Sequence, residues 1–186
     1  MIFVIGGARS GKSSYSEKRM QELQKTPDDV LYIATAIPTD DDMKNRIERH
    51  KMDRNKEWHT IERFKDFDLL QQNEAFTKSN NILLDCLTIM ITNIMFEHYE
   101  EYDSVTNEQI GLVEEEIKKE IEQLTKVCNE HNKNLLIVSN EVGFGLVPSY
   151  RLGIIFRDIA GRMNQFVASE ADEVVLVTAG IPLRIK

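Results

Sequence analysis

Near the start of the chain, Gly6-Gly7-Ala8-Arg9-Ser10-Gly11-Lys12-Ser13 follows the spacing G-x-x-x-x-G-K-S. Those residue types suit one task. Glycines let successive backbone N–H groups turn inward on a phosphate, and the following helix aims the positive end of its dipole at the same anion. Lys12 has the length to reach β- and γ-phosphates, and the Ser13 hydroxyl is a ligand for Mg²⁺. A glycine turn can meet the pattern by chance, but the context argues otherwise. The apolar run 2–5 precedes the loop and polar, helix-compatible residues follow it. That is the order strand, loop, helix that a P-loop requires. The chain is expected to bind a nucleoside triphosphate.

Two further sets of side chains extend this chemistry. Residues 81–85, Asn-Ile-Leu-Leu-Asp, form an apolar run that ends in a carboxylate. Hydrophobic strands often end in Asp; beside a P-loop, Asp85 reads as a second Mg²⁺ position, binding directly or through water. The stretch 44–56 carries six basic side chains against Glu48 and Asp53, a local balance of +4. On a helix over 40–54, Met43, Ile47, His50 and Arg54 share a stripe, and Arg46, His50 and Arg54 step by four along its edge. A lone histidine is an ordinary surface or core residue, but one with an arginine a turn away on either side sits in a phosphate-binding setting. His59, His98 and His131 have no such company and read as structural.

Positioning these groups takes a particular order of elements. Strands are expected at 2–5, 30–34, 58–61, 81–85, 134–139, 173–178 and 181–186, and helices at 12–23, 40–54, 66–76, 87–97, 108–131 and 150–169. Pro27-Asp28-Asp29 breaks the first helix, Glu62 closes the third strand, and Ala179-Gly180 turns the last two strands into a C-terminal β-hairpin. Strands alternating with helices imply right-handed crossovers and a largely parallel sheet with helices on both faces. The expectation is an α/β, P-loop NTPase-type three-layer fold. Ligands of such sheets bind beyond the carboxyl ends of the strands, an edge that here collects the P-loop, Thr35, Asp85 and the glycine-containing loop 140–145.

Composition bounds the alternatives. The 186 residues fit one nucleotide-binding catalytic domain, 1–186, with 41% hydrophobic and 29% charged residues. A net charge of −8 argues against a general nucleic-acid binder. Residues 97–122 hold ten acidic side chains against Lys118 and Lys119, which reads as a solvated helix face. No apolar run approaches the ~18 residues of a membrane span, and residues 1–5 lack the charged start of a signal peptide. Cys86 and Cys128 are unclustered and read as reduced thiols of a cytoplasmic protein.

Several stretches together are more specific. They are the glycine loop, Tyr32-Ile33-Ala34-Thr35, Arg46-Ile47-x-x-His50-Lys51, Asn140-Glu141-Val142-Gly143 and Phe156-Arg157-Asp158-Ile159-Ala160-Gly161-Arg162-x-Asn164-Gln165. In this order, and from residue 1 to 186, the chain resembles the bifunctional adenosylcobinamide kinase/adenosylcobinamide-phosphate guanylyltransferases of cobalamin biosynthesis. The resemblance implies two reactions. ATP or GTP phosphorylates the aminopropanol hydroxyl of adenosylcobinamide; GMP from GTP is then transferred to that phosphate, releasing pyrophosphate and forming adenosylcobinamide-GDP.

The resemblance further implies that His50 carries the GMP covalently and that Lys12 serves catalysis. Nucleotide contacts carry over to Gly6, Gly7, Ala8, Arg9, Ser10, Gly11, Lys12 and Ser13, to Ala34, Thr35 and Ala36, to Arg46, Lys51, Met52, Asp53 and Arg54, and to Glu62 and Asp85. Mg²⁺ would be held by Ser13 and Asp85, the partners would be a small-molecule corrinoid and GTP or ATP, and the assembly a homo-oligomer, commonly a trimer. Departures from the family pattern are Arg49, where some relatives carry a second histidine, Lys51-Met52-Asp53-Arg54 in place of a more glycine-containing turn, and Asp85 where Glu also occurs.

The residues suit these reactions. A neutral imidazole, with an unperturbed pKa of ~6.5, is a nucleophile at cytoplasmic pH, and a covalent intermediate splits one displacement into two. Lys12, Arg46 and Arg54 supply the positive charge that attack on a triphosphate requires. The Glu62 carboxylate matches guanine N1–H and N2–H₂. Two other readings stand beside this one. A P-loop small-molecule kinase without guanylyl transfer leaves His50 without a task. A nucleotide-binding regulator of the GTPase kind needs N/T-K-x-D, and Asn132-Lys133-Asn134-Leu135 lacks the aspartate.

Overall fold

The computed structural model of the protein describes residues 1–37, 55–145 and 147–186. The expected helix over 40–54, with Arg46, His50, Lys51, Met52, Asp53 and Arg54, lies outside the described residues. In chain order the described elements are β1 (Ile2–Gly6), α1 (Lys12–Leu23), β2 (Val30–Ala34), β3 (His59–Glu62), a 3₁₀ helix (Phe67–Gln72), α2 (Glu74–Lys78), β4 (Asn81–Asp85), α3 (Leu87–His98), α4 (Asn107–Glu130), β5 (Asn134–Asn140), α5 (Arg151–Glu170), β6 (Glu173–Thr178) and β7 (Ile181–Arg184).

The strands form one seven-stranded sheet in the order β3-β2-β4-β5-β1-β6-β7. Every neighbouring pair is parallel except β6 and β7, the expected C-terminal hairpin. Side chains alternate between two packed faces. Val4, Tyr32, Leu83, Leu136, Val138, Val175 and Val177 pack with Met20 of α1 and with Trp58. Phe3, Ile5, Leu31, Ile33, Ile82, Leu84 and Ile137 pack on the opposite face against α3, α4 and α5. Burial on both sides is why β2 reads as an unbroken apolar run and every one of its residues is buried.

Beyond shifts of one or two residues at element ends, two features differ from the sequence expectation. The single helix expected over 66–76 is a 3₁₀ helix followed by α2, broken at Asn73. The Asn73 side chain accepts from the backbone N–H of Ala75 at 2.9 Å and of Phe76 at 3.2 Å. Its own backbone is extended, at φ −86° and ψ 127°. Asparagine caps a new helix better than it continues an old one. The 3₁₀ segment is pinned to α4 by the Phe67 N–H, which donates to the buried Glu120 carboxylate at 3.2 Å. Burial pushes the Glu120 carboxyl up from its ordinary value. The other difference is Trp58, which stands outside β3 because its indole N–H reaches across to Gln24 Oε1 at 2.8 Å.

Between β6 and β7 the turn residues Ala179 and Gly180 have φ of 52° and 79°. Positive φ at both positions is the two-residue turn whose twist matches a hairpin. Glycine takes it freely, whereas alanine's Cβ makes the left-handed region cost ~1 kcal/mol or more. Glycine's greater freedom in the unfolded chain returns part of that, so Ala179→Gly is expected to stabilise the fold by about 0.5 kcal/mol. A urea midpoint that moves upward at constant slope would show it; a downward shift would mean the turn is not strained.

Candidate nucleotide site at the carboxyl edge of the sheet

Parallel register brings the chemistry-bearing residues to one edge. Ala34 lies opposite both Asp85 and Glu62, and Gly6 lies opposite Asn140. Following the strand order, the edge runs Glu62, Ala34, Asp85, then Asn140, then Gly6 and the loop that leaves it. Across the four intervening strand spacings of ~4.8 Å, Glu62 lies roughly 19 Å from Gly6.

The loop is held by backbone geometry that its sequence permits. Arg9 has φ 55° and Gly11 φ 93°. The Ser10 N–H donates to Gly7 O at 3.2 Å, closing a tight turn before Lys12 opens α1. No side chain caps the start of α1, so its first N–H groups face the loop, as anion binding requires. The Lys12 ammonium donates to Gly7 O at 3.2 Å, which holds its charge over the loop. Ser10 Oγ is buried without a hydrogen-bond partner. From behind, the β6–β7 turn braces the loop: the Gly180 N–H donates to Ser10 O at 2.7 Å. A Cβ at Gly6 would run into the Val177 carbonyl, and one at Gly11 would sit 3.1 Å from Gly180 Cα.

Asp85 is placed by cross-strand geometry. Tyr32 pairs with Leu83, so Asp85, two residues on, is its diagonal neighbour on the same face. The Tyr32 hydroxyl donates to Asp85 Oδ2 at 2.6 Å and fixes the carboxylate. That face is the one α1 covers, and α1 begins with Lys12 and Ser13. The Ser13 hydroxyl and the Asp85 carboxylate are hard oxygen donors of the kind Mg²⁺ takes. Among the described residues, no cluster of three or more His, Cys, Asp or Glu side chains forms a self-sufficient metal cage.

Beside Asp85 a polar network locks the strand ends together. The Thr35 hydroxyl donates to Cys86 O and accepts from the Cys86 N–H, each at 2.8 Å, and the Thr35 N–H donates to Asp85 O at 3.1 Å. Asn93 Nδ2 donates to Thr35 O at 2.7 Å, and Asn140 Nδ2 donates to the Thr88 hydroxyl at 2.6 Å. Asn164 Nδ2 donates to Asn140 O at 3.2 Å, while its Oδ1 accepts from the Ser139 hydroxyl at 2.7 Å. Of these groups Thr35 and Asn140 are expected at this edge from the sequence, and Tyr32 and Asn164 lie within the stretches that carry the family resemblance, without their hydrogen bonds being readable there. Thr88 and Asn93 give no signal, because each acts through a partner distant in sequence. Cys86 could have been found from its place just beyond the end of β4.

A glycine loop between β1 and α1, with a carboxylate fixed on the α1 face of the same sheet edge, defines a P-loop nucleotide-binding α/β protein. The chain belongs to the cobinamide kinase / cobinamide phosphate guanyltransferase family, which it matches over residues 2–185. It is similar to the bifunctional adenosylcobalamin biosynthesis protein CobU of Escherichia coli strain K12, at 41% identity over the whole chain and 99% of that protein. The CobU protein of Salmonella typhimurium strain LT2 is 42% identical over the same shares. The bifunctional adenosylcobalamin biosynthesis protein CobP of Pseudomonas aeruginosa PAO1 is 32% identical over 98% of this chain and 95% of its own. The motif-based resemblance is thus borne out. No helix among the described residues is long and apolar enough to cross a membrane.

Both cysteines are free and buried. Burial, with the Asp85 charge adding and Lys12 opposing, pushes the Cys86 thiol up to about 11; burial pushes Cys128 up to about 12. At pH 8 only about one Cys86 in a thousand is then thiolate, the form that reacts with alkylating agents. Native protein should resist iodoacetamide at pH 8 and take up two labels once unfolded in urea. Rapid labelling of the native protein would show that Cys86 is not buried as described. Because both values are raised, the stability they contribute is complete below about 9 and declines as pH rises through about 11 to 12.

Proposed function

We propose that this protein phosphorylates the aminopropanol hydroxyl of adenosylcobinamide with ATP or GTP, then transfers GMP from GTP to the resulting phosphate. The observation that carries this reading is the family match from residue 2 to 185, with the intact P-loop and Asp85 inside it. Loop N–H groups and Lys12 bind the triphosphate and neutralise its β- and γ-oxygens. Ser13 and Asp85 are the residues that would hold Mg²⁺, which would supply charge neutralisation on the triphosphate.

In the second step the His50 imidazole attacks the α-phosphorus of GTP, Arg46 and Arg54 supply positive charge to the triphosphate, and pyrophosphate leaves. An oxygen of adenosylcobinamide phosphate then attacks the phosphorus of the GMP-histidine, and the P–N bond breaks to regenerate His50. Glu62 accepts hydrogen bonds from guanine N1–H and N2–H₂, with Ala34, Thr35, Ala36, Lys51, Met52 and Asp53 completing the nucleotide contacts. The chain acts as one unit, 1–186, in a cytoplasmic homo-oligomer, a trimer by family resemblance.

The two half-reactions separate cleanly. Given Mg²⁺, GTP radiolabelled at the α-phosphorus and no corrinoid, the protein should take up an acid-labile, base-stable label, as a phosphoramidate is. His50→Ala should lose the label and GMP transfer yet keep most of the kinase activity, and His59→Ala should keep all three. Labelling should fade below about pH 6 as the imidazole protonates. Normal labelling of His50→Ala would put the nucleophile elsewhere.

Lys12→Ala tests the cradle that both steps share. It should depress both activities together, by more than ~2 kcal/mol of transition-state stabilisation. Near-normal rates in either assay would remove Lys12 from that step.

A further inference from the structure

The acceptor of the proposed reactions is a macrocycle with broad apolar faces, uncharged amide substituents and a flexible arm bearing the reacting hydroxyl. Resting on that reading, we propose that the cleft between α3 and the start of α5 is the corrinoid platform. In this assignment Phe96 and Tyr150 carry the macrocycle, and its arm extends along α3 to the phosphate cradle.

Three observations converge on this surface. The first is its chemistry. A cleft of about 180 Å³ is lined by Thr92, Met95, Phe96, Tyr150, Leu152, Gly153 and Phe156, none of them charged. In a chain with 29% charged residues that is unusual. Two larger clefts, of about 590 and 500 Å³, are instead edged by Glu114, Asp158 and Arg162 or by Lys18, Arg19 and Glu22. Uncharged amide substituents at the ring's edge leave such side chains without partners, whereas the uncharged cleft suits that edge. The cleft seats one edge of the ring. Phe96 is 47% exposed and Tyr150 63%, so the remainder can lie over open aromatic surface, and Phe144 and Val147 on the same β5–α5 connection are more exposed still.

The second observation is continuity with the site. On α3, Thr88, Thr92 and Phe96 recur at steps of four and so share a stripe. Thr88 bonds Asn140 at the sheet edge, Thr92 Oγ1 donates to Thr88 O at 3.0 Å, and Phe96 stands at the cleft. Eight residues of helix rise put Phe96 roughly 12 Å beyond Thr88. That is a distance for an arm of several bonds to cross.

The third is preorganisation. Tyr102 joins the two walls: its hydroxyl donates to Met95 O of α3 at 2.7 Å, and its carbonyl accepts from Arg151 Nε of α5 at 3.0 Å. Arg151 also donates to Val105 O at 2.7 Å, which anchors the residue after Tyr150. Gly153 supplies the seat for the ring. A Cβ there would meet Tyr150 Cζ at 2.8 Å and Cε2 at 2.9 Å. Tyr150 is therefore packed on one side and open on the other, as a stacking surface must be.

The test uses adenosylcobinamide, whose colour reports its retention by the protein in ultrafiltration, together with kinase kinetics. Phe96→Ala and Tyr150→Ala should each raise KM for adenosylcobinamide, and weaken its retention, about tenfold. KM for the nucleotide, α-phosphate labelling and molecular mass should not move. Leu112→Ala, which trims a 61% exposed apolar residue on α4, should change none of these. If wild-type protein neither retains nor phosphorylates adenosylcobinamide, the proposed function itself fails. If wild type does both and the two variants match it, the corrinoid binds elsewhere and only the platform is overturned. A changed mass with unchanged KM would assign the surface to a second copy of the chain, also against the platform.

Discussion

Among the described glycines, the closest backbone approach is that of the β6–β7 hairpin to the phosphate loop. The Val177 carbonyl occupies the space a side chain at residue 6 would need, and the Gly180 backbone crowds residue 11. One hydrogen bond, from the Gly180 N–H to Ser10 O, closes the contact. A loop that points N–H groups at an anion can spend few of them on itself, the Ser10 N–H on Gly7 O being one, so much of its shape must come from outside. The final hairpin performs that task. It couples the last strands of the sheet to the chemistry of the first.

A second brace acts at the other side of the cradle. Tyr32, Thr35 and Cys86 tie the ends of β2 and β4 together by hydrogen bonds on both sides of Asp85. In a buried site each such bond is retained because an unpaired donor or acceptor there costs ~1–3 kcal/mol. Asp85 is thereby held on the sheet face that α1 covers. Asn93 and Asn140 extend the brace to α3 and β5. The nucleotide edge and the uncharged cleft beyond it are parts of one rigid frame.

Legibility in the sequence followed the range of the interactions. Parallel strands buried on both faces announce themselves as apolar runs, so β2 and β4 were readable residue by residue, as was the glycine loop. Ala179-Gly180 announced the hairpin but not its packing on the loop, which depends on strand order. The break at Asn73 was hidden because an asparagine inside a helical pattern signals a cap only once its N–H partners are known. Asp85 was legible as a strand-end carboxylate, but its Tyr32 partner was not. A diagonal contact between strands whose pairing is separated by some fifty residues leaves no local trace. The cleft between α3 and α5 was invisible for the same reason, since its walls are far apart in the chain and are bridged by Tyr102.

Charge follows a similar division between composition and placement. A net charge of −8 is at odds with gripping triphosphates, yet several of the acids are paired away from the cradle. Glu97 pairs with Lys65, Glu114 with Arg162, Glu116 with His98 and Glu122 with Lys118. Exposed pairs of this kind add little stability. The pairs of Glu114 with Arg162 and of Glu122 with Lys118 cancel charge locally on α4, which packs on the sheet face opposite α1. The sheet separates that face from Lys12, and solvent at physiological salt screens exposed charges beyond ~8–10 Å. In the proposed site the field at the loop is therefore set by groups close to it, such as Lys12 and the first N–H groups of α1, rather than by the charge of the chain as a whole.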